Sequence, residues 1–515
     1  MLSKIFGKKS DHPMVDIKST QAILEDLPKN DVYKLLAELT EWIGSVAEHT
    51  EFKVDYQFAI LRLLDDTAQS HARKLAREYF TPHELNTFQE NRMWMTLDNL
   101  SRSTATAYFN AFKRYSNDDK GSSTIRVQVP LLLAHTVNAY IAQLKYISAR
   151  YGVVDKAIWE NLAQIYNCAE QQKFLDTPVN LSSGVAGNTT VKCQMARLFG
   201  WYGSGVNALS PLVMHLLERI VAQYCAAIDI HLQKTEGDHV CFDLKQPAAP
   251  ARVSIATITH PTTRYVNMSS IQPKLEALIK ILDKGVIPDD LNLGGQYEAK
   301  VVVGVAQYLW DFLKKPPMRQ TPRRKVKVNL AVFGGFETSL ERVNAGLDLS
   351  SAKPMQWELE DISAKGFLTI LPPQGIENFR IGSLLCVQPA GVSHWGSAIV
   401  RHMSRDENNQ LHIGVEMLAS QIACVALSQS GSAGGGFFED GQLALWLYAK
   451  QGSQTGEAQL LMRVDTFSAS RSLQTEIDEK SYLLIPNGLV EKGPDYDLAK
   501  FRLVEQEGGH NDESY

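Results

Sequence analysis

The chain has 515 residues, of which 44% are hydrophobic, 21% charged and 9% aromatic, fractions that exclude a wholly disordered, collagenous or mucin-like polypeptide. With 52 Lys and Arg against 57 Asp and Glu the net charge is −5, so a protein that coats nucleic acid polymers is not expected and any anion site must be local. At roughly 100–200 residues per domain, the length predicts about three domains.

Residues 1–18 read as a flexible basic terminus: Met1–Lys9 lacks the apolar core of a signal peptide. No apolar run reaches the ~20 residues that a membrane span requires. Six cysteines (Cys168, Cys193, Cys225, Cys241, Cys386, Cys424) include no CxxC pair, which predicts reduced, mostly buried thiols in a cytoplasmic protein.

From residue 19 to 315 the pattern predicts a helical domain. In Asn30–Val46 the apolar residues Val32, Leu35, Leu36, Leu39, Trp42, Ile43 and Val46 follow the i, i+3, i+4, i+7 stripe of an amphipathic helix, with Asn30 or Asp31 placed to cap it. A second stripe runs through Phe58, Leu61, Leu64, Ala68, Leu75 and Tyr79. Others run through Met93–Phe112, Pro130–Tyr151, Lys156–Gln172 and Leu209–Leu232, joined by polar loops such as Ser116–Ser123 and Thr177–Thr190. No fixed repeat period accompanies them, so an irregular helical domain is expected rather than a solenoid. Gly237–Val266 breaks the pattern and reads as a short extended pair or an ordered loop, dividing the region into two possible subdomains. Helical periodicity returns at Leu275–Leu282 and Gln296–Leu313, and Pro316-Pro317 stops the last helix.

Beyond this stop the period becomes two. Val326, Val328, Leu330 and Val332 alternate as in a half-buried strand. Further strands are expected at Met355–Leu359, Gly366–Leu371, Ser383–Gln388, His394–Met403, Leu411–Leu418 and Ile422–Leu427. Short strands at this spacing predict a small antiparallel barrel over residues 326–430, with Gly334–Ser351 inserted as a loop. Residues 431–515 read as a β-rich extension, with strand candidates at Leu443–Tyr448, Ala458–Val464 and Tyr482–Ile485 and a frayed tail. The fold class is thus α+β multidomain: all-α first, β-rich after residue 316.

Catalytic motifs are absent. There is no GxxxxGK[ST] or HExxH, and Gly203-Ser204-Gly205 lacks the spacing of a nucleophile elbow. His231, His239 and Cys241 lack a fourth ligand for zinc, and His402 and His412 read as ordinary cross-strand neighbours. No metal, cofactor or enzymatic activity is expected, and a hydrolase or transferase hidden in the helices has no supporting nucleophile and base.

One constellation has chemical content. The linker 316–325 carries Arg319, Arg323, Arg324 and Lys325 and feeds directly into the first strand. Guanidinium groups grip phosphates bidentately and donate to the O6/N7 edge of guanine. Further on, Asp361-x-Ser363-x-x-Gly366 makes a turn between strands. There Asp361 can accept from guanine N–H groups, Ser363 can donate to a phosphate or cap the turn, and Gly366 permits a tight backbone.

Arg319-x-x-x-Arg323 followed by Asp361-x-Ser363-x-x-Gly366 resembles the PilZ family of bacterial cyclic di-GMP receptors, which pair an RxxxR linker with a [DN]xSxxG turn on a six-stranded barrel. The likeness covers about Arg319 to Leu427, with Lys325 or Arg324 the alternative to Arg323 in the role of the second arginine, because family barrels begin right after it. The resemblance implies a non-enzymatic cytoplasmic receptor in which Arg319, Arg323 and Arg324 wrap cyclic di-GMP against a wall of Asp361, Ser363 and Gly366. The helical region would then be reoriented and act as output on a protein partner. The competing expectation is a PilZ-like adaptor that binds no nucleotide and works only through protein contacts.

Overall fold

The computed structural model describes residues 12–81, 86–181, 188–254, 257, 259–314, 322–344, 353–372, 379–429, 442–448 and 456–506. The chain forms two compact units, Met1–Pro317 and Met318–Tyr515. The first begins with nine α-helices: α1 (Ile17–Glu25), α2 (Val32–Glu48), α3 (Val54–Phe80), α4 (Thr87–Ser116), α5 (Ser122–Ile125), α6 (Val129–Ala149), α7 (Lys156–Gln171), α8 (Val191–Gly203) and α9 (Pro211–Tyr224). Side-chain caps start most of them. Of the two candidates at α2, Asp31 is the cap, accepting from the Tyr33 and Lys34 amides. Asn86, Asp155 and Thr190 do the same for α4, α7 and α8, and Ser210 precedes Pro211 at the start of α9, each supplying an acceptor to an otherwise unpaired first-turn N–H.

The core is built on the apolar stripes, with Phe58, Tyr108, Leu132, Leu144 and Trp201 at most 1% exposed. α6 is buried nearly all round, and it carries Lys145 to the fully buried Glu218 of α9, which Arg197 of α8 also binds at 2.6 Å. Burial opposes the charge on Glu218, but Arg197, Lys145 and Arg219 outweigh it and hold the carboxyl well below its ordinary range. A buried charge persists only when partners of this kind are supplied.

The helical unit is not all-α. Gly237–Val266 contributes most of a four-stranded sheet, ordered β1-β4-β2-β3, from β1 (Asp229–His231), β2 (Asp238–Asp243), β3 (Ala251–Arg252) and β4 (Thr263–Asn267). The stripe expected to reach Leu232 ends at Tyr224, because Asp229–His231 pairs with β4 instead. Two helices follow, α10 (Gln272–Leu282) and α11 (Ala299–Lys314). Cys193 and Cys225 form a disulfide, with Cα atoms 5.5 Å apart. This departs from the expectation of six thiols: the two are 32 residues apart, and only the packing of α8 against the end of α9 brings them together. No helix among the described residues is long and apolar enough to cross a membrane.

The second unit holds two closed antiparallel rings. The first comprises β6 (Asn329–Gly334), β7 (Met355–Ser363), β8 (Gly366–Leu371), β9 (Leu384–Pro389), β10 (Gly396–Arg405) and β11 (Leu411–Ala419), with a short β5 (Arg324–Lys325) added beside β7. β7 pairs with both β6 and β8, which closes the ring. Of the alternating residues Val326–Val332, only Leu330 and Val332 lie in a strand, β6, whereas Val326 and Val328 fall in the stretch between β5 and β6. The expected loop at Gly334–Ser351 contains a helix, α12 (Phe336–Asn344), that buries Phe336 and Leu340; residues 345–352 lie outside the described set.

The strand at Ile422–Gln429 (β12) does not close this first ring. It opens a second, with β13 (Gln442–Leu447), β14 (Glu457–Arg463), β15 (Leu473–Ile477), β16 (Lys480–Lys492) and β17 (Tyr496–Gln506), in the order β12-β13-β14-β17-β16-β15. Numbered from its first strand, each ring runs 1-2-3-6-5-4, so the second repeats the topology of the first. The rings share an apolar cluster that includes Phe336, Ile399, Leu445, Tyr496 and Leu498. Asp495 accepts from the first amide of α12 at 2.6 Å, and Arg401 forms a two-pronged pair with Glu491 at 2.6 and 2.7 Å. Burial opposes the charge on Arg401, yet its bonds to Glu491 and Glu416 raise its pKa above the ordinary value.

Candidate functional site

The Asp361–Gly366 turn is a hairpin built by its own sequence. Ser363 ends β7 and Gly366 opens β8, the two directly paired across Ala364-Lys365. The Ser363 hydroxyl donates to Gly366 O at 3.1 Å and accepts from Lys365 N at 3.4 Å, closing the turn. Gly366 lies against β11, where a side-chain carbon would overlap the Val415 carbonyl oxygen and sit 3.0 Å from the Val415 carbonyl carbon. Glycine is required there by close approach of a neighbouring backbone.

A bulge between Leu359 and Asp361 shifts the register of β7 on β8, inserting one residue and re-aiming those that follow. The signal was present in the sequence: the alternation of Trp357-Glu-Leu359 breaks at two consecutive acids, Glu360-Asp361. Neither this bulge nor the β11 backbone against Gly366 was singled out from the motif alone.

β5 pairs with the same end of β7, Arg324 opposite Ile362 and Lys325 opposite Asp361. This places Arg323 beside Asp361, 38 residues away in the chain, and its Nη1 donates to Asp361 Oδ2 at 3.0 Å. The two side chains are 33% and 19% exposed. The other carboxylate oxygen, Asp361 Oδ1, is buried and has no hydrogen-bond partner among the described residues. A buried acceptor without a donor typically costs about 1–3 kcal/mol, and a ligand N–H would relieve it.

Arg323, Asp361, Ser363 and Gly366 are therefore brought together, with the exposed Arg324 alongside. Arg319 lies outside the described residues. A groove of about 470 Å³ runs next to the cluster, lined by Lys325, Val326, Lys327, Glu358, Leu359, Glu360 and Ile370. Of the linker and turn residues only Lys325 lines it, and Glu358 and Glu360 offset the charges of Lys325 and Lys327 there. The partly exposed pair of Arg323 and Asp361 has the better chemistry: a guanidinium for phosphate or guanine, and a carboxylate whose buried oxygen has no hydrogen-bond partner among the described residues.

The other candidates do not form sites. His231 binds Asp229 and Asp238, whereas His239 bonds to Leu313 O. Among the described residues no group of His, Cys, Asp and Glu is arranged to hold a metal ion. His402 pairs with Gly414 and His412 with Ser404, so these histidines are not cross-strand partners.

Residues 18–235 match the family model described as the N-terminal domain of the cyclic-di-GMP receptor FimW. The match covers the helical unit up to the start of the four-stranded sheet and does not extend to the rings. No curated protein matches the chain.

Proposed function

We propose that the chain is a non-enzymatic receptor for cyclic di-GMP, binding it where the arginine-bearing linker meets the first ring. The observation that carries this reading is the meeting of Arg323 with Asp361, whose second oxygen is buried without a hydrogen-bond partner among the described residues. The family match supports it independently, because it falls on a different part of the chain. Arg319, Arg323 and Arg324 would grip phosphates and guanine edges. Asp361 would accept from guanine N–H groups, and Ser363 and Gly366 would shape the wall. Because the linker joins the two units, a ligand held by linker and ring together would favour only those arrangements that unite them, which is a differential-contact switch. The helical unit would pass the signal to a protein partner in the cytoplasm.

Isothermal titration calorimetry of the full chain with cyclic di-GMP, with GTP and cyclic di-AMP as controls, tests this. Selective binding at low-micromolar affinity or tighter is expected. The double variant Arg323→Ala/Arg324→Ala should lose charge-assisted bonds of about 1.5–3 kcal/mol each, weakening affinity at least about tenfold. Unchanged affinity in that variant would reject the site. Absence of binding by the native chain would favour a PilZ-like adaptor in which the Arg323–Asp361 pair is only structural.

A further inference from the structure

The four-stranded sheet takes no part in the proposed site, yet its edge meets the helix that leads to it. α11 ends at Lys314, nine residues before Arg323. The last carbonyls of an α-helix have no partners within the helix. Here the sheet supplies two. Arg252 Nη2, on β3, donates to Phe312 O at 2.7 Å, and His239 Nε2, on β2, donates to Leu313 O at 3.3 Å. The Arg252 guanidinium also lies 3.8 Å from the centre of the Phe312 ring, and a cation at a helix C-terminus is favoured by the aligned peptide dipoles.

His239 holds this position from its other side. Its Nδ1 accepts from Met268 N at 3.2 Å, which assigns the ring proton to Nε2 and makes that nitrogen the donor to the helix. The two strands are fastened to each other: Val240 pairs with Arg252, and Val253 N donates to His239 O at 3.0 Å. Behind them the sheet is welded to the helices. Phe242 stacks on Phe199 of α8 with ring centres 4.7 Å apart, and Arg264 of β4 binds Glu170 of α7 through two nitrogens.

We infer that Arg252 and His239 are positioning residues that fasten the root of the arginine-bearing linker to the β1–β4 sheet, so that ligand capture at the linker is communicated to α7 and α8 through this sheet. The inference rests on reading Arg323 and Asp361 as a cyclic di-GMP site. It rests also on packed and hydrogen-bonded contacts that run from the last turn of α11 through the sheet to α7 and α8.

Hydrogen–deuterium exchange of the full chain with and without cyclic di-GMP, paired with calorimetry of the same samples, tests it. In the native chain, ligand should slow exchange in the last turn of α11 and in β2–β4. Arg252→Ala should still bind within about twofold, because fraying one helical turn lengthens the linker by only a few residues, but the ligand-dependent slowing in β2–β4 should be lost. Arg252→Lys keeps a cation and a donor and should restore part of it. Should Arg252→Ala exchange rapidly throughout α7–α9 without ligand, Arg252→Met, which keeps packing on Phe312 and removes only the donors, takes its place with the same expectation. Slowing that persists in the alanine or methionine variant, or native chain that binds ligand with no change in the sheet, would overturn the inference. Native chain that binds no cyclic di-GMP would overturn the receptor reading, and this inference with it.

Discussion

Replacing Asp361 with asparagine preserves the shape of the side chain and removes its charge, which separates a ligand role from a structural one. Among the described residues the carboxylate makes one ion pair, with Arg323 at 3.0 Å, and both partners are partly exposed, at 33% and 19%. Pairs of this kind contribute about 0.2–1 kcal/mol. For a unit of this size that corresponds to a fall in Tm of no more than about 4 °C. The unpartnered Oδ1 gives a further reason to expect little loss, since asparagine relieves the burial of a charged acceptor. In the complex the same carboxylate would accept bonds worth about 1.5–3 kcal/mol, so Asp361→Asn should raise Kd about tenfold to hundredfold. The amide can also turn a donor toward guanine N–H groups, which favours the upper end. Calorimetric titration and thermal unfolding of one preparation read both quantities. A Kd within twofold of the native value, or a large fall in Tm with affinity retained, would show that Asp361 serves the fold and not a ligand.

Gly366→Ala should act on the fold itself: its Cβ would overlap the Val415 carbonyl, so β8 and β11 must part, at a cost of about 1–3 kcal/mol or more, and urea unfolding with an unchanged midpoint would refute that packing. Stability should also fall with acid. Burial and the nearby Lys145 push His215 down to about 3, whereas the unfolded chain takes up that proton near pH 6.5. The contribution of His215 is therefore complete above about pH 6.5 and lost as the pH falls toward 3, at up to about 1.4 kcal/mol per pH unit. Urea midpoints at about pH 7 and pH 5.5 should differ accordingly, and His215→Gln should flatten the slope by one proton; an unaltered slope would contradict the assignment.

Most of the helical unit was legible because its helices carry one-sided stripes. α8 was not read, although Val191, Met195, Leu198 and Phe199 fall at i, i+4, i+7 and i+8: the stripe is short and two glycines, Gly200 and Gly203, follow it. Strand existence was readable from alternation, but pairing was not. Only Ser420-Gln421 separates β11 from β12, and nothing local says that the next strand joins a different ring. β16 was visible only at Tyr482–Ile485, since Pro486 and Gly488 look like an end and instead mark a register shift inside a longer strand. The candidate site divides in the same way. The Ser363–Gly366 turn is local and was readable from residue chemistry, whereas the meeting of Arg323 with Asp361 depends on β5 pairing with β7 and was expected only through a family resemblance.

The apolar cluster common to the two rings decides how the protein can be taken apart. A fragment cut after Gln421 would carry every described candidate ligand residue, yet it would leave Phe336, Leu340 and Ile399 without Leu445, Tyr496 and Leu498 against them. It would also leave the start of α12 without the Asp495 carboxylate. An exposed apolar face of that kind promotes self-association. The smallest piece suited to testing the proposed site alone therefore runs through Gln506, and the second ring serves as the floor of the first even though its entry strand follows β11 too closely to admit an arginine-bearing arm of its own.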